Sequence, residues 1–277
     1  MNSTAKDASP HRHISFTAHY TGYIWYLLGI SHSDLASSKG KRLATLLHPF
    51  ESLAERFVGG SMRSTLKQRH QLINKQLDEL IEQYPNLQIV EIAAGLSPRG
   101  WRYRQNNKAI TYIEMDLPDM AAAKRLALKK IDPDATVIGV DLFDQAFAEH
   151  ILALDHSRPL VIISEGLVNY FTKDMLQQLW QSFSQVLHPF TQGFYITDLY
   201  PEPVKHKLAK IIWQSSKLLK VLSKSAFSFH FTSPSEVSAF FNQAGFNSVS
   251  VYQPKDDNNT SHQDHLGDLV WVIKAKS

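Results

Sequence analysis

The sequence predicts an α/β fold: a seven-stranded, mainly parallel sheet with helices on both faces, preceded by a helical extension. Three observations predict it. Short β-prone apolar runs alternate with amphipathic helical stretches from about residue 87 onward, the pattern of a parallel sheet with crossover helices. Five successive runs each end on or beside a carboxylate. The first 84 residues contain no such alternation and read as helices.

Taken in order, residues 1–13 are polar and form a flexible tail, and 14–62 form an aromatic-rich helical unit with a break around 31–40. A longer helix spans about 64–84, because Leu66, Ile73, Leu77, Leu80, Ile81 and Tyr84 recur on one face at helical spacing. Pro85 stops it. Strands follow at 87–93, 110–115, 135–140, 160–163, 194–197, 248–252 and 269–273. Helices lie between them at 120–131, 145–154, 173–187, 204–222 and 235–244. The last two strands, joined by a loop over 256–265, are expected to form an antiparallel edge. Residues 63–277 thus constitute the main domain, and 14–62 a helical lid.

Composition narrows the function. The 277 residues include no cysteine, which excludes disulfides, thiolate metal sites and cysteine nucleophiles. Twenty-nine basic residues nearly balance 26 acidic ones, and nucleic-acid binding, which favours a dense basic face, is not expected. Thirteen histidines are scattered without a His-Glu-x-x-His pair, so no metal is expected. The N-terminus lacks a secretory apolar core, and the apolar stretch at 23–30 is too short to span a bilayer. A cytoplasmic location without membrane association is the expectation.

Ligands of doubly wound sheets bind outside the carboxyl ends of the strands. The residues there are Glu91, Glu114 with Asp116, Asp141, Glu165 and Asp198. Such a rim suits a ligand with hydroxyls and positive charge, such as a nucleoside carrying a cationic centre. The first loop, Ala93-Ala94-Gly95-Leu96-Ser97-Pro98, lacks a full Gly-x-Gly-x-x-Gly and a Walker lysine, which disfavours pyrophosphate cofactors. Asp116 lies about twenty residues beyond Gly95, the separation of a ribose-binding acid.

The segment Val90-Glu91-Ile92-Ala93-Ala94-Gly95-Leu96-Ser97-Pro98-Arg99-Gly100-Trp101-Arg102 resembles the cofactor loop of the leucine carboxyl methyltransferase family, which includes O-methyltransferases of polyketide pathways. Tyr112 to Pro118 with Lys124-Arg125, Asp141-Leu142, and Glu165 to Phe171 resemble three further motifs, and Arg69 resembles the family's upstream arginine. The similarity covers roughly residues 50–200. The loop departs from the family pattern at Ala93, where glycine is usual, and at Ser97-Pro98, where Asp-Thr is frequent.

The resemblance implies a Rossmann-like class I methyltransferase fold and S-adenosyl-L-methionine (SAM) as cofactor. It places Arg69, with Arg63 as alternative, on the SAM carboxylate, and the backbone at Ala93 and Gly95 beside its methionine part. Asp116, with Glu114 as runner-up, holds the ribose. Asp141 and Leu142 flank the adenine, and Glu91 and Glu165 complete the cofactor set. Tyr170 lines the acceptor pocket and is the catalytic candidate, with His230 and His265 as other candidate bases; Asp198 and Tyr200 follow the fifth strand within reach of substrate. The implied activity is methyl transfer to an oxygen of a small-molecule acceptor, in specialised metabolism. A protein C-terminal carboxylate as acceptor, and a non-catalytic binding domain, are the alternatives.

Overall fold

The computed structural model describes residues 14–58, 62–202, 228–253 and 270–277. The tail at 1–13, the helix expected at 204–222 and the loop at 256–265 lie outside the described residues. Among the described residues no helix is long and apolar enough to cross a membrane.

The seven expected strands form one sheet. They are β1 (Gln88–Ile92), β2 (Thr111–Asp116), β3 (Thr136–Gly139), β4 (Leu160–Ser164), β5 (Gly193–Leu199), β6 (Ser248–Tyr252) and β7 (Trp271–Lys276), in spatial order β3-β2-β1-β4-β5-β7-β6. β1 to β5 are mutually parallel, and β7 alone runs against its neighbours. β6 and β7 form the expected antiparallel edge, with β7 inserted between β5 and β6. β1, β4 and β5 are buried along their whole length, because helices cover both faces of a parallel sheet. The edge strands β3 and β6 are half exposed.

Side-chain alternation divides the core. Val90, Ile92, Leu160, Ile162 and Tyr195 point to one face, where Trp180, Phe183 and Phe241 meet them. Ile89, Val161, Ile163, Phe194 and Ile196 point to the other, against Leu72, Ile73, Leu77 and Leu80. The first group of helices comprises α6 (Gln145–Leu152), α7 (Lys173–Leu187) and α8 (Pro234–Gln243); the second is α3 (Met62–Gln83). Thr172 caps α7 by accepting from the Met175 amide, and Ser233 caps α8 through Glu236, which satisfies backbone donors left free in a first turn. Trp180 stacks on Phe241 at 3.9 Å and fixes α7 against α8.

Two further helices, α4 (Arg99–Asn106) and α5 (Pro118–Leu128), follow β1 and β2. α4 was not evident from periodicity, because it is short and carries arginines where a core face would be apolar. The N-terminal unit is a helical pair, α1 (Ile14–Leu27) and α2 (Ser38–Val58), broken as expected at 28–37, where Ser33–Leu35 make one 3₁₀ turn. Tyr20, Ile24, Leu43 and Ala44 pack with Leu66 at the start of α3. Leu35 enters a separate cluster with Ala121, Leu128 and Val137 on α5 and β3. The pair thus spans the rim of the sheet above β1 and β2.

Candidate active site

β1 leads into the turn at Ala93–Gly95. Ala93 has φ +48° and Gly95 φ +47°, so two left-handed residues bend the chain across the strand end. The Gly95 amide donates to Asp116 Oδ2 at 2.6 Å, and the Leu117 amide to Oδ1 at 2.7 Å. Each carboxylate oxygen keeps a second lone pair. Burial raises the Asp116 carboxyl above its ordinary range against the pull of the two amides and of Lys124. A cleft opens here between β1, β2 and β3. Ala93, Asp116, Asp141, Leu142 and Phe143 line it, and Ala18 of α1 closes one side. α1 approaches the turn so closely that a Cβ on Gly95 would lie 3.0 Å from the Ala18 methyl. Asp141 accepts from the Phe143 amide at 3.1 Å.

A charged cluster lies at the ends of β4 and β5. Arg69 on α3 donates through Nε to Glu165 at 3.0 Å and stands 3.6 Å from Asp198 Oδ2. Arg99 donates to Glu165 and to Glu91, each at 2.5 Å, and to Asn74 at 2.7 Å. His70 Nδ1 lies 2.9 Å from both Glu165 and Arg99. All six ionisable groups are buried or nearly so. Burial alone would raise the Glu165 carboxyl, but His70, Arg99 and Arg69 hold it well below the ordinary range. Burial and then Arg99 lower His70, keeping it neutral near pH 7. Burial raises Asp198 against the pull of Arg69. The Gly166 amide donates to Asp198 Oδ1 at 2.6 Å. Gly166 itself has φ +70°, and a side chain there would begin 3.1 Å from the Arg69 guanidinium, which gives this position two reasons to be glycine.

Tyr170 stands next to this cluster. Burial raises its phenol, while the Thr17 hydroxyl of α1 and the Arg69 charge pull the other way. Its neighbour Asn169 clamps the chain beyond β5, accepting from the Tyr200 amide at 2.8 Å and donating to the carbonyls of Tyr200 and Ser228.

The structure therefore separates the expected site residues into groups. Asp116, Ala93, Asp141 and Leu142 meet at the cleft, and Gly95 shapes its floor. Arg69, Glu165 and Tyr170 meet Asp198 at the second centre. Glu91 joins the second centre through Arg99, Glu114 stands apart from both groups, and neither lines the cleft. They lie side by side in register on β1 and β2, on the face covered by α3, α4 and α5. Glu91 is held by Arg99 and by the Tyr112 hydroxyl at 2.9 Å. Glu114 is held by Arg104 at 2.8 Å and by Lys124. Adjacent buried carboxylates require such cations. Asp116 differs only in standing one pleat further along, at the rim. Arg63 is partnered and does not line the cleft. His230 Nε2 is engaged by the Phe171 carbonyl at 2.7 Å, and His265 lies outside the described residues.

Periodicity and motif reading passed over His70 and quoted Arg99 and Lys124 as motif residues without a role. A signal existed: rim and strand acids in such number need buried cations, and Arg99 and Lys124 follow β1 and β2 directly. The residues that line the cleft fit the nucleoside half of SAM, with Asp116 for the ribose hydroxyls and Leu142 and Phe143 as apolar surfaces for a flat base. The Arg69–Glu165–Asp198 cluster offers both charges to an amino acid moiety.

The sequence profile of the leucine carboxyl methyltransferase family matches residues 29–184. No curated protein matches the chain in sequence. Among solved structures, a protein described as a methyltransferase from Thermobifida fusca is similar over 98% of this chain and 99% of its own, with TM-score 0.64 and 14% identity. A protein described as an O-methyltransferase from Nostoc punctiforme is similar over 73% of this chain and 55% of its own, with TM-score 0.49 and 15% identity. Human N-acetylserotonin methyltransferase in complex with SAM shares 11% identity over 71% of this chain and 48% of its own, with TM-score 0.48. The chain spans about half the length of the last two. At these identities the likeness is one of fold, and the first of the three carries it along the whole chain. With the family profile covering more than half of the sequence, and its motifs at the strand ends where this fold binds ligands, the chain belongs to the leucine carboxyl methyltransferase family, and it shares the fold of the methyltransferase it matches along its whole length.

Proposed function

We propose that this chain methylates an oxygen of a small-molecule acceptor, and that α1 and α2 serve as the lid over the reaction. One observation carries the reading: a cleft lined by Asp116, Asp141 and Leu142 lies beside a centre where Arg69 and the protonated Tyr170 hydroxyl stand together. Asp116 accepts from the ribose hydroxyls, and Asp141 and Leu142 take the adenine. Ala93 and Gly95 present their backbone to the methionine part. Arg69, oriented by Glu165 and Asp198, faces its carboxylate. SAM, when bound, supplies an electrophilic methyl group.

The chain's own contribution is alignment and exclusion of water. Tyr170 keeps its proton at neutral pH, since burial raises its phenol. It therefore acts as a hydrogen-bond donor that orients the acceptor and does not serve as a base. An acceptor that is already ionised, such as a carboxylate, needs no base; an acidic phenol or enol meets the same condition. The carboxyl chemistry in the family's name supports oxygen as the acceptor atom, and it also favours a second reading, a peptide C-terminal carboxylate.

Calorimetric titration with SAM and S-adenosylhomocysteine, on the wild type and on Asp116→Ala, tests the cofactor site. Binding of both ligands, weakened at least tenfold in the variant as expected for a lost pair of charge-assisted hydrogen bonds at about 1.5–3 kcal/mol, is the expected result. Methyl-labelled SAM with carboxylic, phenolic and C-terminal peptide acceptors then identifies the product. Label released as methanol by mild base marks a methyl ester, and base-stable label marks an ether. Transfer only to nitrogen or carbon acceptors refutes the reading.

A further inference from the structure

The cofactor turn rests on a buried ion chain that begins at Lys124. This side chain, on α5, is completely buried. Its ammonium donates to the Ala94 carbonyl at 3.2 Å and pairs with Glu114. Glu114 is also completely buried and takes Arg104 at 2.8 Å, and Arg104 in turn takes Asp132 at 2.7 Å. Gly100 makes room for this arrangement, since a Cβ there would fall 2.6 Å from the Glu114 carboxyl carbon. Four charged groups thus run from the outside of α4 to one backbone oxygen, and that oxygen lies between the two left-handed residues of the turn.

A left-handed Ala is unfavourable, and a turn containing one holds its shape only where its surroundings impose it. The Ala94 amide bonds the Met115 carbonyl and the Gly95 amide bonds Asp116, both from the β2 side. The Ala94 carbonyl is tied twice, by the Ser97 amide at 2.9 Å within the loop and by Lys124 from α5. Without Lys124 the loop's own Ser97 bond is all that holds this carbonyl, the peptide between Ala94 and Gly95 loses its link to α5, and its rotation takes the Gly95 amide off Asp116.

We propose that Lys124 is a positioning residue of the cofactor site, holding the Ala93–Gly95 turn in its binding shape through the Ala94 carbonyl, with Glu114 and Arg104 as the counter-ions that permit a buried ammonium there. The inference rests on the reading of this turn as the SAM site. It also gives Glu114 a role: it acts on the cofactor through Lys124 and makes no contact of its own.

The test compares Lys124→Met, Lys124→Arg and the double variant Lys124→Met with Glu114→Gln, which leaves no uncompensated buried carboxylate. Two readouts are taken: SAM affinity of the folded protein by calorimetry, and hydrogen exchange of the Gly95 amide without cofactor. The expected result for the double variant is SAM binding weaker by roughly tenfold to a hundredfold, the worth of one charged hydrogen bond. Gly95 exchange accelerates by a similar factor while exchange of β4 amides stays unchanged. Lys124→Arg, which keeps the charge, retains a larger share of affinity than Lys124→Met. Unaltered SAM affinity and unaltered Gly95 exchange in the double variant overturn the proposal, as does a uniform rise in exchange across the sheet, which marks a purely structural lysine. If the single Met variant does not fold, the double and Arg variants decide the matter. A wild type that binds no SAM overturns the cofactor reading itself, an outcome separate from wild-type binding that the variants leave intact.

Discussion

Replacing Arg99 by methionine removes the hub of the buried charge cluster. Arg99 is 1% exposed and spreads its guanidinium over Glu91, Glu165 and Asn74. Methionine approximates its stem but leaves Glu91 with the Tyr112 hydroxyl alone and Glu165 with Arg69 and His70. Breaking a buried pair by removing one partner costs about 3–5 kcal/mol, because an uncompensated charge stays behind. Natural domains are stable by only about 5–15 kcal/mol, so this single change consumes a large share. With an m-value near 3 kcal/mol/M, the urea midpoint should fall by about 1–1.7 M at pH 8. The loss should shrink as pH falls, because Arg99 is one of the cations that hold the Glu165 carboxyl low and its removal lets that carboxyl rise.

Adding Glu91→Gln removes one of the two stranded charges while keeping an acceptor for Tyr112. The double variant should recover roughly 1–3 kcal/mol relative to the sum of the single variants. Urea titrations of the four proteins at pH 8 and at a lower pH measure this. A loss below about 1 kcal/mol for Arg99→Met, or a coupling to Glu91 within the error of about 0.5 kcal/mol, would refute the account of Arg99 as the cation that pairs with these carboxylates.

Two further predictions concern the same site. Ala93→Gly relieves a left-handed alanine, worth about 1–2 kcal/mol in the fold, against about 0.5–1 kcal/mol of added chain entropy in the unfolded state; stability should be unchanged or up by about 1 kcal/mol in thermal unfolding, and a loss above 1 kcal/mol would contradict the strained geometry. His70 is lowered from 6.5 by burial and by Arg99, so below pH 6.5 the unfolded chain binds a proton that the folded chain refuses. Stability from His70 is therefore present above its unfolded value and falls as pH drops below 6.5, with a slope up to about 1.4 kcal/mol per pH unit. His70→Gln should flatten the stability profile between pH 7 and 5 by that share, and an unchanged profile would show that His70 titrates alike in both states.

What was legible in the sequence follows from what each pattern encodes. Apolar runs such as 88–92 and 160–164 suit a parallel sheet buried on both faces, and the other strands were visible as short β-prone runs alternating with helical stretches. The amphipathic face of α3 and the stop at Pro85 fixed a further element by local rules. α4 was not visible, because Arg99 stands at a buried position where the periodic pattern expects an apolar residue. The partition of the rim acids was likewise hidden. Glu114 and Asp116 differ by one pleat repeat, and only the packing of α4, with Gly100 opposite Glu114, shows that one is sealed inside and the other opens to the cleft.

By itself, the sequence determined the strand order along the chain, the helical extension, the rim on which the chemistry sits and the family. Those features depend on residue type and spacing, which the chain carries locally. Only the tertiary structure decided that β7 inserts between β5 and β6, that Arg69, Arg99 and Glu165 share one centre, and that Lys124 reaches the Ala94 carbonyl. These depend on the pairing of residues up to 96 positions apart, as between Arg69 and Glu165. A buried charge is stable only where its counter-charge arrives from another element, and the spacing along the chain does not record which one that is.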